Sequence, residues 1–159
     1  MKPTPEASSE IQDIGAPTLQ KRLRYPDINQ SEVHTLSKRH LTIKWQHSPA
    51  KHDYTAAEAY LSLLHSDEAV ARNIKALRDA PMSQFKSKDL LRASSLSAMG
   101  VSNSHVQRDR AKIHEGKSLS PILLVRDSSN GKLIIADGYH RLCAVYSLDE
   151  EANIPCKIV

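Results

Sequence analysis

The sequence predicts an α+β protein, with a helical N-terminal half and a small mixed-sheet core. Three observations carry that expectation. Between Thr55 and His114, apolar residues recur at the three- and four-residue spacing of a helix face. Between Pro121 and Ala136, two short continuous apolar runs flank an Asp-Ser-Ser-Asn-Gly turn, the pattern of a hairpin of buried strands. A last run, Ile154 to Val159, supplies a closing strand. Aromatics make up only 4% of the 159 residues, so the core must be built mostly from Leu, Ile, Val and Ala.

The expected organisation is a flexible basic tail over residues 1–40, a helical region packed on the core over 41–103, and the core itself over 104–159. Pro3, Pro5, Pro17 and Pro26 interrupt any helix in the tail. Leu41 to Trp45 alternates weakly and reads as a short strand or as a segment that pins Trp45 to the core. In the first expected helix, Asp53 or Thr55 is the N-cap, and Ala56, Ala59, Tyr60, Leu63 and Leu64 face inward. Ser66 or Asp67 caps a second helix with a Val70, Ile74, Leu77 stripe, and Pro81 lies just beyond it. A third short helix starts at Ser87 and uses Leu90, Leu91 and Leu96. A fourth runs from about Asn103 to His114, turns Val106 and Ile113 inward, and stops at Gly116. Pro121 to Val125 and Leu133 to Ala136 are the buried strands. Asp137-Gly138 is a tight break, and Tyr139 to about Leu148 is a helix. Pro155 stands near the start of the last strand, where a missing donor is tolerated.

Composition excludes several classes. Two cysteines, Cys143 and Cys156, are too few for a disulfide scaffold and form no Cys-x-x-Cys pair for zinc. No apolar run approaches the roughly 20 residues of a membrane span. Met1 to Glu6 has no apolar signal-peptide core, so the expectation is a cytoplasmic protein without a membrane partner. Net charge is +4, and the first 52 residues hold 8 basic against 5 acidic side chains. That excess is small for a nucleic-acid arm, which leaves DNA as a weakly supported partner.

Chemistry concentrates at Asp137-Gly138-Tyr139-His140-Arg141, where a buried strand ends and a helix begins. The first N–H groups of a helix lack intrahelical partners and lie at the positive end of its dipole, so an anion there satisfies them. His140 and Arg141 in the first turn are cations where the dipole disfavours them, which makes sense if they close on a bound anion. Arg141 offers a planar fork to phosphate oxygens, and His140 is a donor or a proton carrier near neutral pH. Asp137 is either the helix N-cap or a magnesium ligand or base beside the phosphate. Tyr139 stacks on a base or sugar, or packs.

Residues 104–159 resemble the ParB/sulfiredoxin superfamily. His105–Gly116 matches its helix and Leu119 to Val125 the next strand. Ala136 to Ala144 matches the motif, and Asn153 to Val159 the strand after the motif helix. The resemblance covers about a third of the chain. In ParB proteins the turn is Gly-Glu-Arg-Arg and holds a cytidine triphosphate; Gly138 and Arg141 match, and Tyr139 replaces the glutamate. The helix-turn-helix region that follows in ParB proteins has no counterpart before Val159. In sulfiredoxins the turn is Gly-Cys-His-Arg, with His-Arg on ATP phosphates. Gly138, His140 and Arg141 match, but Tyr139 stands where the nucleophilic cysteine would be, which speaks against sulfinic-acid reduction. A third branch, similar to ADP-dependent serine kinases, carries Asp-Gly-His-His-Arg and differs from this chain only at Tyr139.

The resemblance implies a nucleotide ligand (ATP, ADP or CTP) with Mg2+ on Asp137, and a phosphotransferase or NTPase in which Asp137 and His140 are catalytic. Gly138, Tyr139, His140 and Arg141 would bind the ligand. Arg92, from a basic cluster with Lys86 and Lys88, and Ser120 would add further contacts. The alternatives are a DNA-associated partition or nuclease-type protein and a non-catalytic nucleotide-sensing module. Lys38-Arg39-His40 and Asp149-Glu150-Glu151 read as solvated, Cys143 as a packed thiol, and His47, His52 and Asp53 are poorly spaced for a metal site.

Overall fold

The computed structural model describes residues 42–159. The expected tail and its Lys38-Arg39-His40 triplet lie outside the described residues. The elements run α1 (Lys51–Leu61), α2 (Asp67–Asp79), β1 (Met82–Lys86), α3 (Ser87–Ser94), α4 (Ser104–His114), β2 (Ile122–Asp127), β3 (Lys132–Asp137), α5 (Tyr139–Tyr146) and β4 (Asn153–Ile158). Together they make an α+β protein with a four-stranded mixed sheet in the order β1-β4-β2-β3. The β2/β4 pair is parallel; β1/β4 and β2/β3 are antiparallel.

The continuous apolar runs of β2 and β3 have a direct cause: the sheet is covered on both faces. Ile122 and Leu124 of β2, with Leu133 and Ile135 of β3, join a core with Leu90, Leu91, Val106, Ile113 and Leu142 from α3, α4 and α5. Leu123 and Val125, with Ala136, turn to the opposite face and meet Tyr54, Ala57, Leu61, Val70, Ile74 and Leu77 from α1 and α2. Alternation along each strand therefore serves two cores. Truncating one such fully buried side chain, Leu142→Ala for example, costs about 2–5 kcal/mol. Both cysteines are buried in the first core. Burial pushes the Cys143 thiol up and the Cys156 thiol to about 11, which suits packed, inert groups.

Local signals account for most boundaries. Ser66 is the N-cap of α2, whose buried stripe is Val70, Ile74 and Leu77. The Asn103 side chain accepts from the N–H groups of His105 (3.0 Å) and Val106 (3.3 Å) and so starts α4. Gly116, at φ 69°, follows that helix. Leu41 of the Leu41 to Trp45 segment lies outside the described residues; Trp45 makes a parallel bridge to Leu119 and packs against the first core.

Four expectations are corrected. The first helix begins at Lys51 with Ala50 as N-cap, not at Asp53 or Thr55. Its buried face is Asp53, Tyr54, Ala57 and Leu61, while Ala56, Ala59, Tyr60, Leu63 and Leu64 are exposed. Both sets have helical spacing, and contact with the sheet selects the first. Leu96 lies beyond α3 and is exposed. Met82–Lys86, unassigned between two helices in the region expected to be helical, is a strand paired with β4.

The β1–α3 junction is held by the acidic turn before β4. Backbone N–H groups of Ser87 and Lys88 donate to the carbonyls of Ala152 (2.9 Å) and Glu150 (3.0 Å). The Ser87 hydroxyl donates to Glu150 O at 2.7 Å, and Lys86 and Lys88 both pair with Glu151. The turn thus does more than sit in solvent: its carbonyls satisfy orphan donors at the start of α3.

Candidate functional site

The chain leaves β3 at Asp137, turns at Gly138 and enters α5 at Tyr139. Gly138 has φ 98°, and a Cβ there would overlap the Ile122 side chain and lie 2.9 Å from Arg141 Nη2. The glycine is therefore required by a left-handed backbone and by close packing behind the turn. It is the N-cap of α5, and no side chain caps the helix. This corrects the N-cap expectation for Asp137, which is the last residue of β3 and turns to Arg141 instead.

Arg141 is the centre of a buried polar cluster. Its Nη1 donates to Asp53 Oδ1 at 3.1 Å, and its Nη2 donates to Asp137 Oδ2. Asp53 is 1% exposed. Its second oxygen accepts from Ala50 N–H at 2.9 Å and from the Ser120 hydroxyl. Ala50 N–H also reaches Ser120 Oγ at 3.0 Å. His52 Nε2 lies 3.3 Å from Asp53 Oδ1 on the solvent side. Asp53 thus does two jobs: it caps α1 from the third helical position, and it ties α1 to the β3–α5 turn.

The two carboxyls respond in opposite directions. Burial works to raise Asp53, but the Ser120 hydrogen bond, the Arg141 charge and hydrogen bond, and Ala50 N–H together hold it below the ordinary carboxylate value. Burial raises Asp137, and the charge of Asp53 adds to that, against the pull of Arg141. The linkage signs follow. Stabilisation from ionised Asp53 is full above the ordinary carboxylate pKa and is lost as pH falls through the lower folded value. The contribution of Asp137 is full below the ordinary value and is lost as pH rises through its raised one. In urea titrations across the acid range, Asp53→Asn is expected to remove the first dependence and Asp137→Asn the second. Ser120→Ala, which strips a hydrogen bond from a buried carboxylate, is expected to cost about 1–3 kcal/mol in the same measurement.

A cavity of about 370 Å³ opens in front of the turn, lined by Ala56, Tyr60, Leu96, Ala136, Asp137 and His140 among others. Most of its wall is apolar carbon, and the start of α5 provides its polar end. His140 stacks on His105 of α4, with ring centroids 4.8 Å apart. Burial first, then His105, holds His140 below the ordinary imidazole value. The shift favours the neutral imidazole, a hydrogen-bonding group rather than a fixed cation. The Tyr139 hydroxyl donates to the carbonyl of Ser97 and fastens the loop after α3 to the start of α5.

Of the residues singled out in the sequence, the structure brings together Ser120, Asp137, Gly138, Tyr139, His140 and Arg141. Arg92 lies elsewhere: its side chain is exposed, donates to Asp89 at 2.9 Å, and lines a different cavity. Asp53 is the residue that sequence reasoning missed in this role. A carboxylate four residues after Pro49, on the Tyr54, Ala57, Leu61 stripe, was the available signal. Among the described residues no group of three His, Cys, Asp or Glu side chains could hold a metal ion by itself. No family model, curated protein or solved structure matches this chain.

Proposed function

We propose that residues 104–159 form a ParB/sulfiredoxin-like core that binds the phosphate of a nucleotide at the start of α5. The observation that carries this reading is the uncapped N-terminus of α5 at one end of the cavity before Gly138. Free N–H groups and the helix dipole favour an anion at that place. His140 lies where its imidazole can hydrogen-bond a phosphate oxygen or carry a proton. Tyr60, Leu96 and Tyr139 offer apolar wall for a base or sugar. Arg141 acts from behind the turn: its guanidinium, held by Asp53 and Asp137, positions the start of the helix.

Mg2+ fits this donor set only together with the nucleotide, because it is commonly held by one or two carboxylates plus phosphate oxygens. Asp137 is the carboxylate that would hold it, and the ion would neutralise phosphate charge. The same arrangement suits a phosphotransferase or NTPase, with Asp137 and His140 as the proton-handling groups.

The test is a thermal-shift series on the full chain with ATP, ADP and CTP, each with and without Mg2+. A ligand at 100 times its Kd adds about 2.7 kcal/mol, or roughly 5–10 °C in Tm for a chain of this size. His140→Ala is expected to abolish the shift without unfolding the protein. Absence of a shift with all three nucleotides would refute the reading. A shift without turnover would favour the nucleotide-sensing role over the enzyme.

A further inference from the structure

A second cavity, of about 360 Å³, lies at the hairpin end of the sheet. Leu133 lines it, and Ile135, two residues or about 7 Å further along β3, already lines the first cavity, so the two are neighbours with no lining residue in common. The floor of the second cavity is Leu90, Leu133 and Ile158, and Phe85, itself 39% exposed, forms one side. The eight-residue helix α3 buries Leu90 and Leu91 and lends Asp89, Leu90, Arg92 and Ala93 to the cavity wall.

The polar groups on this cavity are mainly cationic. Arg92 and Arg126 stand at its rim, and Asp89 is the one carboxylate beside them. Asp89 engages one nitrogen of Arg92, at 2.9 Å, which leaves further N–H donors of that guanidinium unused. Among the described residues no carboxylate pairs with Arg126, whose side chain is exposed at the end of β2. An apolar floor under two guanidinium forks is complementary to an apolar body with one planar anionic head. The volume is at the small end of the range of ligand sites, about 300–1,000 Å³.

We propose that this cavity binds a small amphipathic anion, an aliphatic or aryl chain that ends in a carboxylate. The apolar part rests on Leu90, Leu133 and Ile158, and the head pairs with Arg126 and the free edge of Arg92. This site is independent of the nucleotide reading and shares no residue with it.

The probe is 8-anilinonaphthalene-1-sulfonate, whose rings and sulfonate reproduce that chemistry. With the native full chain, a saturable rise in fluorescence is expected, and decanoate should displace the probe. Decanol has the same chain without the charge and should compete about tenfold less well. Arg126→Gln is expected to weaken the probe and decanoate about tenfold, and Ala93→Phe, which fills the cavity from α3, should abolish both. His140→Ala should change neither. No saturable binding, equal competition by decanol and decanoate, or indifference to Arg126→Gln would each overturn the proposal. Because Arg126 is a surface residue, that variant decides the matter even if Ala93→Phe fails to fold.

Discussion

Replacing Asp53 by alanine is expected to destabilise the protein by about 3–5 kcal/mol, the usual cost of removing one partner from a buried ion pair. The loss has a specific origin. Arg141 would keep its charge in a site where its side chain is only 13% exposed, with Asp137 as its one remaining carboxylate. One of its donors, Nε, already lacks a partner. Ala50 N–H and Ser120 would lose an acceptor at the same time. Chemical denaturation should show a lower midpoint with an unchanged slope. Arg141→Ala should cost a similar amount, by leaving two carboxylates facing each other. The double variant should be markedly less damaging than the sum, since residues in one network do not add. If the two single effects simply add, the cluster is not a unit. A cost below about 1 kcal/mol for Asp53→Ala would place it with surface ion pairs and contradict the burial.

The second large effect is at Gly138. Gly138→Ala is expected to cost about 2–4 kcal/mol, from a Cβ forced into a packed site and from a backbone that L side chains avoid. The new methyl would press on Ile122, which is fully buried at the centre of the first core, and on the guanidinium of Arg141. The effect should appear as a lower denaturation midpoint even without any nucleotide. That separates it from His140→Ala, which is expected to spare stability and lose the ligand-induced shift. A Gly138→Ala protein of native stability would mean that the turn relaxes freely and that its geometry is not imposed.

Much of the fold was legible because it depends on local physics. The two apolar runs at Pro121 to Val125 and Leu133 to Ala136 read as strands buried on both faces because they are too short for a helix and are bounded by turn signals. Asn103, Gly116 and the Val70, Ile74, Leu77 stripe mark helix limits and a helix face through hydrogen bonding and period alone. The break at Asp137-Gly138 followed from the same kind of signal. β1 was not legible, because Met-Ser-Gln-Phe-Lys has no alternation and its strand is mostly exposed; what makes it a strand is the backbone edge of β4.

The turn at Asp137 to Arg141 was visible as a place where chemistry collects, because residue type and a glycine between strand and helix suffice to mark one. What Arg141 does there was decided only in three dimensions. Asp137 is within one helical turn, but its other partner, Asp53, and Ser120, which donates to Asp53, are remote in the chain, and no spacing rule connects them. The same holds for α1, where the stripe read from spacing is exposed and the sheet buries another one, Asp53, Tyr54, Ala57 and Leu61. By itself, then, the sequence determined most of the helices, three of the four strands and the turn where chemistry-bearing side chains collect. The tertiary structure decided which charges are neutralised, because desolvation and ion pairing depend on what packs nearby and not on order along the chain.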